Sequence, residues 1–282
     1  MSLADGGGLL GGVVPELVAL DIDGTVLGYD GTLHPSIPGA LEAALAADVH
    51  VVLATGREVH STLPVTQLLG LTQGHAVCSN GAVTIAHDAG APEGFRVVRS
   101  VTFDPGPALG LLAPVFPDAV FAVERPGGHL MLSGAFPEGE LYGRWEIVAP
   151  AELTAQPVSR LVARAPHRAP EEFWPLVQRA GLHGVSFTVG YTAWLDIGPA
   201  GVSKASALQG LCEQLGVDPG ETVAVGDWRN DLEMLRWAGR GIAMGQAHAE
   251  IQEAADAVTL PVEDGGVAQV LRAAASARAS AV

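Results

Sequence analysis

The sequence predicts an α/β fold: a parallel sheet with helices on both faces, carrying an inserted α+β region. Three observations predict it. Short, nearly continuous apolar runs alternate with helical segments at both ends of the chain, as expected of parallel strands buried on both faces. The key apolar runs end in small polar clusters, and open α/β sheets take their ligands outside the carboxyl ends of the strands. The middle of the chain breaks the alternation with strand-like segments separated by Pro and Gly.

Leu17 to Leu20 is the first run and closes on Asp21. Pro38 to Ala47 has helical spacing. Val49 to Ala54 is the second run and closes on Thr55-Gly56-Arg57. Glu58 to Leu69 is amphipathic enough for a helix despite Pro64. Ala76 to Cys78 leads into Ser79-Asn80-Gly81. In the middle, Val97–Phe103, Ala119–Val123, His129–Leu132, Ser159–Ala163 and Val185–Val189 read as strands, and Pro105–Phe116 and Ala169–Ala180 as helices. The alternation then resumes. Ser203 to Leu215 is a helix with Ser203 as its N-cap. Thr222 to Val225 is a strand ending in Gly226-Asp227, Asn230 to Ala238 a helix, Gly241 to Met244 a strand and His248 to Ala255 a helix. The division that follows is a loose leader over 1–14, a main unit over 15–82 and 191–282, and an inserted α+β region over 83–190.

A chain of 282 residues that is 48% hydrophobic can bury a full core and a second, smaller one. Its apolar runs fall short of the roughly 20 residues that span a bilayer, and the N-terminus lacks the basic start of a signal peptide. A net charge of −16 suits solubility. With no basic stripe, it argues against nucleic acid as a partner. Cys78 and Cys212 are too few for a disulfide framework and lack zinc spacing, which points to a reduced, cytoplasmic setting. The basic residues are 14 Arg and a single Lys, Lys204.

Four clusters carry candidate chemistry. In Asp21-Ile22-Asp23-Gly24-Thr25, residues i and i+2 of an extended segment share a side. Two such carboxylates repel unless a cation or a proton intervenes. One can act as nucleophile and the other as proton donor; an ordinary turn or a calcium loop offers the same letters. Thr55-Gly56-Arg57 supplies a hydroxyl and free amides at a helix start, an anion seat or simply an N-cap. Lys204 opens a helix, where a cation opposes the macrodipole; this favours a functional charge partner such as a carboxylate cluster with phosphate, with a solvated surface Lys as the alternative. Gly226-Asp227-Trp228-Arg229-Asn230-Asp231 places hard oxygen ligands at a strand end, a pattern that suits Mg²⁺ or a capped helix start.

Taken together, these four clusters resemble the motifs of the haloacid dehalogenase (HAD) superfamily, and specifically its Cof-type class with a large type C2B cap (class IIB). The resemblance covers nearly the whole chain, and Ser79-Asn80-Gly81-Ala82 is similar to the family's Asn-Gly-Ala segment. It implies a HAD-like Rossmannoid core with an inserted cap, and a phosphatase that acts on a small phosphorylated metabolite such as a sugar phosphate. It implies Asp21 as nucleophile and metal ligand, and Asp23 as general acid/base with its backbone carbonyl on the metal. Thr55, Gly56, Asn80 and Lys204 would then hold the phosphoryl group, and Asp227 would ligate Mg²⁺. Asn230 and Asp231 would support the metal shell or Lys204.

The cap is expected to choose the substrate. Arg125, Arg160, Arg164 and His129 are candidates for ligand contact, although each reads more readily as a surface residue. Trp145, Trp174 and Trp194 read as packing residues, Trp228 as core or cleft mouth, and Gly28 to Pro35 as a flap. His167 and His183 lack metal-ligand spacing. Two alternatives are a phosphomutase of the same superfamily, such as phosphomannomutase, and a non-catalytic metabolite-binding protein.

Overall fold

The computed structural model describes residues 6–141, 143–190 and 192–281. Strands β1 to β14 span Leu17–Leu20, His50–Ala54, His75–Cys78, Val83–His87, Phe95–Ser100, Val120–Glu124, Leu130–Leu132, Trp145–Ile147, Arg160–Arg164, Val185–Val189, Trp194–Pro199, Thr222–Gly226, Arg240–Ala243 and Ala257–Val258. Helices α1 to α10 span Gly6–Leu10, Ile37–Ala46, Val59–Leu68, Gly106–Leu112, Pro150–Leu153, Pro170–Ala180, Lys204–Leu215, Leu232–Trp237, Ala249–Ala254 and Gly266–Ala281.

Eight strands form one sheet in the order β14-β13-β12-β1-β2-β3-β4-β5. The pairs from β14 to β3 are parallel, and β4 and β5 add an antiparallel edge. Leu17 of β1 faces His50 of β2 on one side and Thr222 of β12 on the other. Chain order reverses about β1, so the carboxyl ends of β1, β2, β3 and β12 open on one crevice. Period-two alternation divides the sheet's side chains between two cores. Val18 and Leu20 join α2 and α10, while Leu17 and Ala19 join α7 and α8. The second face is built largely of alanines, Ala19, Ala54, Ala224 and Ala243 among them. Small side chains there leave room for α7, whose first residue is Lys204.

Six strands form a second sheet in the order β10-β11-β9-β6-β7-β8. One face packs against α4 and α6, with Phe121, Val123, Leu161 and Leu195 meeting Leu112 and Phe173. By the same alternation Glu124, Arg160 and Asp196 lie on the other face. That face meets the first sheet, since Ser79 Oγ donates to Glu124 Oε2 at 2.7 Å.

Sheet membership corrects the expected boundaries. Residues 83–100, assigned to the insertion, complete the first sheet: β4 follows β3 after one tight turn and pairs with it, Cys78 facing Val83. Trp194–Pro199, assigned to the main unit, lies inside the second sheet between β10 and β9. Such a strand looks the same in sequence whichever sheet it enters. The leader over 1–14 falls partly on residues 1–5, outside the described residues. Its described part is anchored at two residues rather than loose: Leu10 is buried in the core and Arg240 Nε donates to the Leu9 carbonyl. Beyond Ala255, where the pattern predicts no element, α10 buries Ala268, Ala273 and Ala274 beside Val267 and Leu271. Alanines dilute the apolar periodicity that marks a helix.

Candidate active site

Asp21 follows β1 directly, and its N–H donates to the Val225 carbonyl of β12 at 3.0 Å, which prolongs the strand pairing to this residue. Lys204 is fully buried, and its Nζ donates to Asp21 Oδ1 and to Asp231 Oδ1, each at 2.6 Å. Asp231 Oδ2 accepts the backbone N–H groups of Asp227 and Trp228 at 3.0 Å each. Both Asp231 oxygens are therefore committed, and this side chain acts as the anchor of Lys204. Burial works against the lysine charge, but the two carboxylates outweigh it and hold the ammonium above its ordinary value. The expected conflict with the helix dipole is answered by these partners. Gly81, at φ +101°, brings the Ser79–Gly81 turn onto the start of α7; a Cβ there would sit 2.2 Å from the Ser203 carbonyl oxygen.

Asp227 follows β12. Its Oδ1 accepts from Thr25 Oγ1 at 3.4 Å and its Oδ2 from the Tyr29 hydroxyl. Asp21, Asp227 and Asp231 can each bring one oxygen within 4.8 Å of the others, and all three are buried. Burial pushes the Asp21 carboxyl well up, reinforced by Asp231 and Asp227 against the opposing pull of Lys204. Burial likewise pushes Asp227 up to about 6. One lysine thus faces three buried carboxylates, and this charge deficit together with the all-oxygen donor set fits a hard divalent cation. Asp21 and Asp227 are the natural donors, because both Asp231 oxygens are already used.

The paired carboxylates of the first motif are compensated separately. Asp21 turns to Lys204, whereas Asp23 is half-exposed and paired with Arg57, Nε to Oδ2 at 2.9 Å and Nη2 to Oδ1 at 2.5 Å. Thr55 is buried at the end of β2, and its Oγ1 accepts the Arg57 N–H at 3.0 Å. Asn80 donates its backbone N–H to the Thr55 carbonyl at 3.0 Å, and its Oδ1 accepts from Asn230 Nδ2 at 3.0 Å. Gly56 fits beneath this pair, a Cβ there lying 3.2 Å from Asn80 Oδ1. The structure so gathers every residue proposed from the motifs, Asp21, Asp23, Thr55, Gly56, Asn80, Lys204, Asp227, Asn230 and Asp231, around the carboxyl ends of the sheet.

A cavity of about 480 Å³ opens between the two sheets. Lys204, Asn80 and Asn230 form its floor, Arg160 and Asp196 stand on the side of the second sheet, and Trp228 lines it. The surface reading of Arg160 and Arg164 is overturned: both are buried and paired, with Asp196 and Glu140. Arg125 and His129 do reach the surface, Arg125 donating to the Glu152 carbonyl and His129 pairing with Glu146. Trp145 and Trp174, expected in packing, are exposed. Glu58, Glu124, Asp196 and Tyr29 also bear on the site without a motif to mark them; the partners of Glu124, Asp196 and Tyr29, namely Ser79, Arg160 and Asp227, are distant in sequence.

A model of haloacid dehalogenase-like hydrolases matches residues 18–92 and 154–271. A phosphoglycolate phosphatase from Natronomonas pharaonis is 30% identical over 249 residues, 86% of this chain and 90% of that protein. The pyridoxal phosphate phosphatase YbhA of Escherichia coli is 28% identical, over 86% of this chain and 92% of that one. Among solved structures, a HAD subclass IIB sugar phosphatase superposes with a TM-score of 0.75 at 22% identity, over 91% of this chain and 98% of that one, a likeness of fold. The chain belongs to the haloacid dehalogenase-like hydrolase family, and it is a phosphoric monoester hydrolase of that family.

Proposed function

We propose that this member of the haloacid dehalogenase-like hydrolases cleaves the phosphate ester of a small metabolite through an aspartyl-phosphate on Asp21, with Mg²⁺ as its cation. The observation that carries the reading is the buried set of Lys204 on Asp21 and Asp231, each at 2.6 Å, beside Asp227. Lys204 fixes Asp21 by Oδ1 and leaves Oδ2 to attack phosphorus. The bond from phosphorus to the leaving oxygen breaks as the new one forms. Asp23 gives that oxygen a proton, then takes one from the water that hydrolyses the aspartyl-phosphate. Asp23 sits nearer solvent than Asp21, and Arg57 holds its carboxylate in place between the two steps. Thr55 Oγ1 already accepts from Arg57 N, so its own proton is directed at the phosphoryl group.

Mg²⁺, held by Asp21, Asp227 and the backbone carbonyl of Asp23, would supply charge neutralisation for the phosphoryl oxygens. Lys204 shares that task from a site closed to water. Asn80 and Asn230 brace the phosphate seat, and the second-sheet unit serves as a cap over the cavity. Relatives are named for phosphoglycolate and pyridoxal phosphate, which supports a small phosphate monoester as the substrate and leaves open the charge of its leaving group.

The test is phosphate release from p-nitrophenyl phosphate and a panel of phosphorylated sugars, polyols and cofactors. Turnover is expected to need Mg²⁺ and stop with EDTA. Asp21→Asn should lower kcat by about 10³-fold or more. Full turnover by that variant, or activity that survives EDTA, would refute the assignment. A requirement for a bisphosphate activator would point to a mutase instead.

A further inference from the structure

The wall of the cavity opposite Lys204 carries a charge cluster that the proposed chemistry does not use. Arg160 of β9 is buried, and its Nε and Nη2 both reach Asp196 Oδ1 of β11 at 2.5 Å. Asp196 Oδ2 accepts from Trp194 Nε1 at 2.9 Å, so the carboxylate is held from both sides. Glu124 of β6 stands directly across from Arg160 in the sheet register and is buried too. Its Oε2 takes the Ser79 hydroxyl, and its Oε1 has no partner among the described residues. Glu58, the buried N-cap of α3, adds a third carboxylate to the field on Arg160. One guanidinium therefore faces three carboxylates. Burial pushes the Glu124 carboxyl up to about 7 against the pull of Arg160 and Ser79, with Glu58 and Asp196 adding to the rise.

The other cations lining the cavity are engaged as well. Lys204 holds Asp21 and Asp231, and Arg229 pairs with Glu250 at 3.0 Å. Among the described residues, no cation that lines the cavity is without a carboxylate. A leaving group with its own negative charge would find no free cation there; it would have to break the buried Arg160–Asp196 pair or draw Arg229 from its exposed pair with Glu250, which holds it weakly.

We propose that Asp196, by occupying Arg160, sets the selectivity of this site, which takes phosphate monoesters whose leaving group is uncharged or cationic and turns away those bearing a second anion. This inference rests on the phosphatase reading and adds to it the substrate class. Selectivity is a difference of affinities, and an unpaired buried charge is an efficient way to create one. Removing the carboxylates should invert the preference. Asp196→Asn keeps an acceptor for Trp194, and adding Glu124→Gln keeps an acceptor for Ser79 while freeing the guanidinium for a carboxylate on the ligand.

The experiment uses a pair matched in size, glycerol 3-phosphate and 3-phosphoglycerate. Each is measured with Mg²⁺ both as substrate and as competitor of p-nitrophenyl phosphate turnover, so that either readout yields an affinity. The wild-type protein is expected to favour glycerol 3-phosphate by about tenfold or more, as one like charge facing a poorly solvated ligand requires. In Asp196→Asn/Glu124→Gln the ratio should fall to unity or reverse, through the constant for 3-phosphoglycerate. Equal wild-type affinities overturn the proposal without recourse to any variant. An unchanged ratio in a folded double variant overturns it as well. Absence of Mg²⁺-dependent turnover of p-nitrophenyl phosphate by the wild type would instead overturn the phosphatase reading, and the substrate class with it.

Discussion

Glu124→Gln offers a direct measure of what it costs to bury a carboxyl behind Arg160. Glu124 is 1% exposed, and burial, set against the pull of Arg160 and Ser79, moves its carboxyl from 4.5 to about 7. The folded protein therefore favours the protonated acid. Below pH 4.5 the group is protonated in both states and its contribution is complete. Between 4.5 and 7 the unfolded chain releases the proton while the folded chain keeps it, so stability falls as pH rises. Above 7 both states are ionised and the loss is finished. A displacement of this size corresponds to about 3 kcal/mol, at about 1.4 kcal/mol for each tenfold change. Glutamine keeps an acceptor for Ser79 and has nothing to titrate. Thermal unfolding of the wild type and the variant, followed from pH 4.5 to 8, should diverge with pH. The variant should gain roughly 5–10 °C in Tm relative to the wild type across that range. Profiles that run parallel would refute the argument, because they would mean that Glu124 titrates alike in the folded and unfolded chains.

Lys204→Met should leave Asp21 and Asp231 without their shared cation, costing about 3–5 kcal/mol in chemical denaturation. The loss should be greater at pH 8 than at pH 5, because burial holds the Asp21 carboxyl well above the usual range and lets it take up a proton; equal losses would contradict the pairing. Mg²⁺ should stabilise the folded protein without any substrate, by about 2.7 kcal/mol at a concentration a hundredfold above Kd, and so raise Tm. Burial holds the Asp227 carboxyl near 6, so the ion must displace a proton at acid pH and this rise should shrink from pH 8 to pH 5. Asp227→Asn should abolish most of it. Gly24→Ala should cost roughly 1–2 kcal/mol for its φ of +80° alone. Its Cβ would also press on Asp227 Oδ2, 2.2 Å away, so the variant should need more Mg²⁺ for half-maximal turnover. An unaltered Mg²⁺ requirement would separate Gly24 from the metal site.

The sequence by itself determined the parts with local signatures. Apolar runs ending in Asp21, Thr55 and Asp227 located strands and the polar clusters at their ends, since a strand buried on both faces must be apolar and its ligand-facing end need not be. A lone lysine at a helix start announced a partner, because its position opposes the dipole, though not which carboxylates would supply it. Only the tertiary structure decided that Asp231 anchors Lys204 while Arg57 takes Asp23, although the letters made Asp21 and Asp23 a pair. It alone placed Val83–His87 in the first sheet and Trp194–Pro199 in the second. It also brought Glu124, Arg160 and Asp196 together from three strands. Strand register creates such neighbours across tens of residues, and no local pattern records a partner that arrives through the sheet. The polar floor of the crevice was thus legible in the sequence because its clusters sit on single strand ends or, for Lys204, on a helix start. The wall that selects the substrate was not, because it exists only where strands lie side by side.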